Sequence, residues 1–179
     1  YGRAAAINFL RRRLLRWQLT LNPRLSTDIV LKNLDVISKT CKPSVQAAYL
    51  RTILNGWVTK RRMRSAKGSE PGCGQCVFPC GHGSDCIEHY AYCRIVTNFY
   101  RKSGIAYSHP SVASFLMVSR RVARDKITLQ AACLYAVYLT HNILRHSSAA
   151  NPSEERVNGL FRASFARAGG RRKYGKSYF

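Results

Sequence analysis

Residues 73–93 read CGQCVFPCGHGSDCIEHYAYC, and how this stretch is read decides the rest of the chain. It holds five of the seven cysteines and two of the five histidines, with no Lys or Arg, in a protein of net charge +22. Gly68, Pro71, Gly72 and Gly74 break all regularity on its approach. A structural zinc takes four ligands in a tetrahedron, typically two from a tight turn and two from a helix. Cys76 and Cys80 have the spacing of a turn, with Gly81 and Gly83 beside them. His89 and Cys93 are four apart, so on a helix beginning near Ile87 they project from one face. Together they form C-x3-C-x8-H-x3-C. Cys73 is an alternate for Cys76 or Cys80, since Cys73 and Cys76 have C-x2-C spacing; His82 and Cys86 are weaker candidates. Four protein ligands leave no open coordination position, which points to structural rather than catalytic zinc. The competing reading is a set of buried free thiols or a redox-sensing cluster. An odd number of cysteines clustered beside His favours a metal in a reducing compartment over a disulfide scaffold.

Outward from this knot the charge changes sharply. Residues 1–72 hold 15 basic and 3 acidic side chains, and residues 94–179 hold the same, so each flank carries +12. The knot, with only Asp85 and Glu88, carries −2. Arg outnumbers Lys by 21 to 9, and guanidinium binds phosphate in a bidentate manner and stacks on bases. Nucleic acid is therefore the favoured partner of this surface. The cations fall in four clusters: Arg11, Arg12, Arg13 and Arg16; Lys60, Arg61, Arg62 and Arg64; Arg120, Arg121, Arg124 and Lys126; Arg171, Arg172, Lys173 and Lys176. One such cluster is commonly a solvated face, but four with almost no acidic compensation are not. Tyr174, Tyr178 and Phe179 are interleaved with the last of them, in position to stack on bases.

The flanks read as helices. Ile7, Leu10, Leu14, Trp17 and Leu21 recur at spacings of 3 and 4, and Asn22-Pro23 ends that segment. Ser26 or Thr27 is placed to cap a second helix with Val30, Leu34 and Ile37 inward. Lys42-Pro43-Ser44 opens a third, carrying Val45, Tyr49, Ile53 and Trp57 into the basic cluster at 60–64. Asp85 and Glu88 stand in capping-box spacing for a helix ending before Gly104. A short helix follows Pro110. Residues 127–145 form a longer one, apolar on most of its circumference and so central in the fold. Asn151-Pro152-Ser153 starts a last helix through about Ala168, with Glu154 and Glu155 at the positive end of its dipole. The expectation is a mainly α fold, a helical bundle with an inserted irregular zinc-binding loop. Its parts are basic N-terminal helices (1–68), the knot leading into a helix (69–93), C-terminal helices (94–168) and a flexible basic tail (169–179), as one composite domain. The longest apolar run, residues 131–139, is too short to span a bilayer.

Three blocks in order, LRTILNGWVTKRRMR (50–64), CVFPCGHGSDCIEHYAYC (76–93) and LYAVYLTHNILRH (134–146), resemble the region after the polymerase core in non-long-terminal-repeat retroelement reverse transcriptases of protist type. The resemblance covers roughly residues 45–146. It implies that Cys76, Cys80, His89 and Cys93 bind zinc. It also implies that Arg51, Trp57, Arg61 and Arg62 belong to a nucleic-acid-facing helix, with Trp57 packing inward. The polymerase palm and its paired aspartates are missing here, as is the carboxylate and lysine cluster of the associated endonuclease. The resemblance therefore implies a non-catalytic remnant that binds RNA or DNA.

The acidic residues support the same expectation. Two-metal phosphoryl chemistry needs several convergent carboxylates, and this chain has only Asp28, Asp35, Glu70, Asp85, Glu88, Asp125, Glu154 and Glu155. Most have a cap or dipole role. Asp28 and Asp35 share a solvated face, while His141 and His146 read as core or rim residues rather than general bases. The expected function is a zinc-stabilised RNA-binding structural protein of a large ribonucleoprotein. Its RNA would be ribosomal, its neighbours other proteins of that particle, and its setting the mitochondrial ribosome, with the nucleus as the alternative compartment. A second reading is the nucleic-acid-binding C-terminal fragment of a retroelement polymerase. The opening on Tyr1 rather than Met marks a processed or fragment start, and Arg11, Arg12 and Arg13 interrupt any signal peptide. A third reading is a membrane-surface or protein-docking module using the Arg-rich first helix.

Overall fold

The computed structural model describes residues 2–19, 22–65, 75–81, 83–105, 110–119, 122–147 and 152–169. Over these residues the chain is mainly helical. The elements are α1 (Arg3–Leu15), α2 (Pro23–Thr40), α3 (Pro43–Ile53), α4 (Lys60–Ser65), α5 (Ile87–Tyr90), α6 (Arg94–Lys102), α7 (Val112–Phe115), α8 (Arg124–His146) and α9 (Glu154–Arg167). Among the described residues the only β pairing is an isolated bridge between Gln75 and Ser84, at the neck of the Cys/His loop.

α8 is the axis. Its 23 residues pack against α2, α3, α6 and α9, and Ile127, Ala131, Leu134, Val137, His141 and Leu144 are all buried. By length and composition α8 is apolar enough to cross a membrane, but two thirds of its apolar window is covered by the fold. Its interior position explains that composition as well as a bilayer would.

Local chemistry sets most boundaries, sometimes differently from the spacing argument. α2 begins at Pro23, not after Ser26 or Thr27. The Asn22 side chain accepts from the Arg24 amide at 2.9 Å, and Pro is tolerated at the first helical position because its missing N–H has no partner there. Ser26 and Thr27 lie buried inside the helix instead. α3 stops at Ile53, where Asn55 takes a φ of 52° and the Gly56 amide turns back onto the Arg51 carbonyl. A Cβ on Gly56 would stand 3.1 Å from that carbonyl, closer than an ordinary contact, so a side chain there would require a small shift of the turn. Trp57 is therefore not on α3. It folds under it, fully buried, with Nε1 donating to Thr52 Oγ1 at 2.9 Å. The single helix expected from Ile87 to Gly104 is two, α5 and α6, broken at residues 91–93. α7 and α9 start as expected, with Ser111 and Ser153 capping the amides of Ser114 and Arg156.

The core is aromatic around the loop. Trp57 stacks near Tyr90, Tyr138 and His141 at 5.3–5.5 Å, and Phe78 bridges Tyr90 and Phe161 at 5.2 and 5.3 Å. Phe78 comes from the loop and Phe161 from α9, so the loop is anchored in the core by its own side chain.

Candidate metal centre

The loop converges on four side chains. Cys76, Cys80, His89 and Cys93 place their ligand atoms within 4.8 Å of one another. The turn 76–80 supplies two thiols, as its spacing indicates. His89 comes from α5, and Cys93 is the N-cap of α6, with a φ of −59° and ψ of 122°. The last two ligands are therefore not projected from one continuous helix face. The chain breaks between them, at residues 91–93.

His89 presents Nε2 to Cys80 Sγ at 3.4 Å. On the ring's other edge Nδ1 lies against Gly83, where an added Cβ would overlap the imidazole. Gly83 has a φ of +78° and Gly81 one of +75°. The loop thus uses glycine at 83 for two reasons at once, a left-handed backbone and room for a ligand ring. Arg94 ties the far side of the turn to α9, donating to the Pro79 carbonyl and to Glu154, each at 3.0 Å.

The donor set fits a soft or borderline divalent metal. Three sulfurs and one imidazole nitrogen are donor types found in structural zinc sites, and they would fill all four positions of a tetrahedral ion. The thiols are already polarised against one another. The bond from Cys76 pulls the Cys93 thiol down, aided by His89, while the same contact and burial push Cys76 up. A cation at the centre of the thiols favours their ionised forms. Cys86 is buried but outside this set, with Sγ 3.3 Å from Ser84 Oγ. Cys73 and His82 lie outside the described residues.

Beneath the quartet is a polar knot that spacing did not reveal. Asp85 is fully buried and does not cap α5, whose N-cap is Cys86 with no side-chain bond. Its carboxylate accepts from Lys60 N at 2.6 Å, from the Tyr90 hydroxyl, and from His141 Nε2 at 3.2 Å. Burial raises its pKa, but these donors outweigh burial and hold it below the ordinary value. Burial and the Asp85 charge push Tyr90 well up. His141, buried on every side, is a core residue as its position on α8 implies.

The cationic candidates lie on the surface. Arg12, Arg16, Arg51, Lys60, Arg61, Arg62, Arg124 and Lys126 are exposed, and Arg11 and Arg13 are half-buried. The Arg13 guanidinium lies 5.2 Å over the Phe9 ring, and the Arg11 Nε is buried without a partner. Arg51 donates to the Tyr138 hydroxyl at 2.6 Å. α4 carries Lys60, Arg61 and Arg62 directly against the metal loop, with Arg61 3.6 Å from Glu88 and Lys60 Nζ 3.5 Å from the Gln75 carbonyl. Arg64 is on α4, but its side chain lies outside the described residues. Arg120, Arg121, Arg171, Arg172, Lys173 and Lys176 lie outside them altogether. Comparison of the chain with protein-family models, with curated proteins and with solved structures finds no match in any of the three.

Proposed function

We propose that this chain is a non-catalytic, zinc-stabilised RNA-binding structural protein of a large ribonucleoprotein, with the mitochondrial ribosome as the specific setting and ribosomal RNA as the ligand. The retroelement resemblance supplies the ancestry in this proposal. The observation that carries it is the attachment of a basic helix, through Asp85, Gln75 and Glu88, to the loop that bears the candidate metal quartet. Four protein ligands make the metal a staple, since no position remains for a substrate.

Charge placement supports a polyanion partner. Lys60, Arg61 and Arg62 occupy the first turn of α4, and Arg124 and Lys126 the first turn of α8. Cations at a helix N-terminus oppose the helix dipole and cost stability, by about 0.3–1 kcal/mol each when exposed. An anionic ligand offsets that cost, whereas a solvated face has no need of it. Phosphates beside these side chains would meet their charge and offset that cost.

The test is RNA affinity against salt. Each phosphate neutralised releases counterions, so for six contacts the association constant falls on the order of a thousandfold between 50 and 200 mM salt. A response of that steepness, for structured RNA and in the zinc-loaded protein, is expected. Affinity independent of salt would refute the reading.

A further inference from the structure

Asp85 lies between the two ligand pairs, in the loop from Cys80 to His89. Three donors from three parts of the chain end on its buried carboxylate: the Lys60 amide, the Tyr90 hydroxyl and the His141 imidazole. Its own carbonyl accepts from the Arg61 amide at 3.3 Å. The first two amides of α4 therefore both end on one residue of the metal loop.

This supply from a distance replaces a weak local cap. α4 has no acidic residue in its first turn, and the Thr59 hydroxyl meets the Arg62 amide only at 3.4 Å. A helix of six residues with cations at 60, 61, 62 and 64 does not persist alone. Nucleation is unfavourable, and Lys60 and Arg64 add like charges one turn apart. What holds α4 is the loop, through Asp85 and through the Gln75 and Glu88 contacts of Lys60 and Arg61. Phe78 anchors one end of the loop in the core, but the glycine-bearing stretch from Cys80 to Asp85 is fixed by the ligands that flank it. Gly81 and Gly83 contribute no packing, and the free chain loses more entropy at glycine than at any other residue.

We propose that metal occupancy of the Cys76, Cys80, His89 and Cys93 site sets whether α4 is helical, with Asp85 as the positioning residue that transmits occupancy to it. The inference rests on the reading of α4 as part of the RNA-binding surface and adds the means by which that surface is controlled. With the site loaded, Lys60, Arg61 and Arg62 are held ready for phosphate. With it empty, Asp85 leaves the two amides, and the same cations must be ordered again at the expense of binding.

Hydrogen exchange of the full chain, loaded with one equivalent of zinc and then stripped with a chelator, reads this directly. Stripping is expected to speed exchange of the 60–65 amides on the order of tenfold or more, the worth of a lost helix cap, while α2 stays protected. The zinc-loaded Asp85→Ala variant, which has no side-chain acceptor for the Lys60 amide, should still hold one zinc yet exchange at 60–65 like the stripped protein. If that variant does not fold, Lys60→Pro against Lys60→Ala isolates the same bond. Both lose the charge, but only proline removes the amide that Asp85 accepts. Metal-dependent protection of residues 61–65 should survive in the alanine variant and vanish in the proline one.

Unchanged exchange at 60–65 on stripping would overturn the proposal, as would simultaneous opening of α2 and α4. Binding of a labelled RNA hairpin separates the two readings. Exchange coupling without RNA binding in any form leaves the switch standing and removes the RNA function. Equal RNA binding by loaded and stripped protein leaves the RNA function standing and removes the control of that binding by α4.

Discussion

Replacing Gly83 by Ala should disable the metal centre, and Gly81→Ala provides its control. Both glycines hold a positive φ, +78° and +75°. A Cβ in that region costs about 1–2 kcal/mol, so each variant loses roughly tenfold in whatever equilibrium the loop conformation governs. At Gly81 that is all, because among the described residues no atom beyond its chain neighbours lies within 4 Å of the added carbon. At Gly83 the carbon would overlap the His89 ring, which must swing away from the quartet. Zinc–nitrogen bonds hold at about 2.0–2.1 Å, so a displacement of an ångström removes the ligand. If four ligands share about 12 kcal/mol of binding, losing one costs about 3 kcal/mol, or roughly a hundredfold. Gly83→Ala should thus bind zinc about a thousandfold more weakly than wild type, and Gly81→Ala about tenfold. Competition against a chromophoric chelator measures both. Cobalt substitution adds a signature, since loss of the imidazole alters the tetrahedral d–d bands. Equal zinc affinities for the two variants would refute the assignment of His89 as a ligand held in place by Gly83.

Other consequences follow from the buried groups. Trp57→Ala removes a fully buried ring in contact with Tyr90, Tyr138 and His141 and should cost about 3–5 kcal/mol in urea unfolding; a loss below 1 kcal/mol would contradict its place in the core. Asp85 has a folded pKa below its unfolded value of about 3.9, so the stability it contributes is present above that pH and is lost as pH falls through the folded pKa. In acid titrations followed by near-ultraviolet circular dichroism, Asp85→Asn should be less stable at pH 6 and should lack that part of the acid loss. Parallel curves for variant and wild type would show that Asp85 is not ionised in the fold. Burial pushes the Cys133 thiol up to about 12, leaving about one in ten thousand ionised at pH 8. Iodoacetamide should alkylate it only after unfolding, as read by peptide mass spectrometry, and rapid native labelling would place it at the surface.

Much of the fold was legible because its signals are local. α8 announces itself by an apolar circumference, α9 by Ser153 and two acidic residues, and the quartet by four residues whose types and spacing suit a tetrahedron. The misreadings arose where a distant partner decides. Asp85 and Glu88 have capping-box spacing, yet Asp85 turns inward to α4 and α8, to partners 25 and 56 residues away. Trp57 sits at helical spacing from Ile53, but Asn55 and Gly56 end the helix first. The Asn-Gly pair was a usable signal. Likewise Asn22-Pro23 reads as a stop for α1 or as cap and first position for α2, and only the bond to the Arg24 amide decides. The break at 91–93 has no glycine or proline to mark it.

The most direct measurement of the central claim is native mass spectrometry of the purified chain with and without nuclease treatment. The account predicts one zinc per chain, together with RNA mass that nuclease removes. A chain that carries no metal would contradict it, and with it the resemblance, the staple and the control of α4.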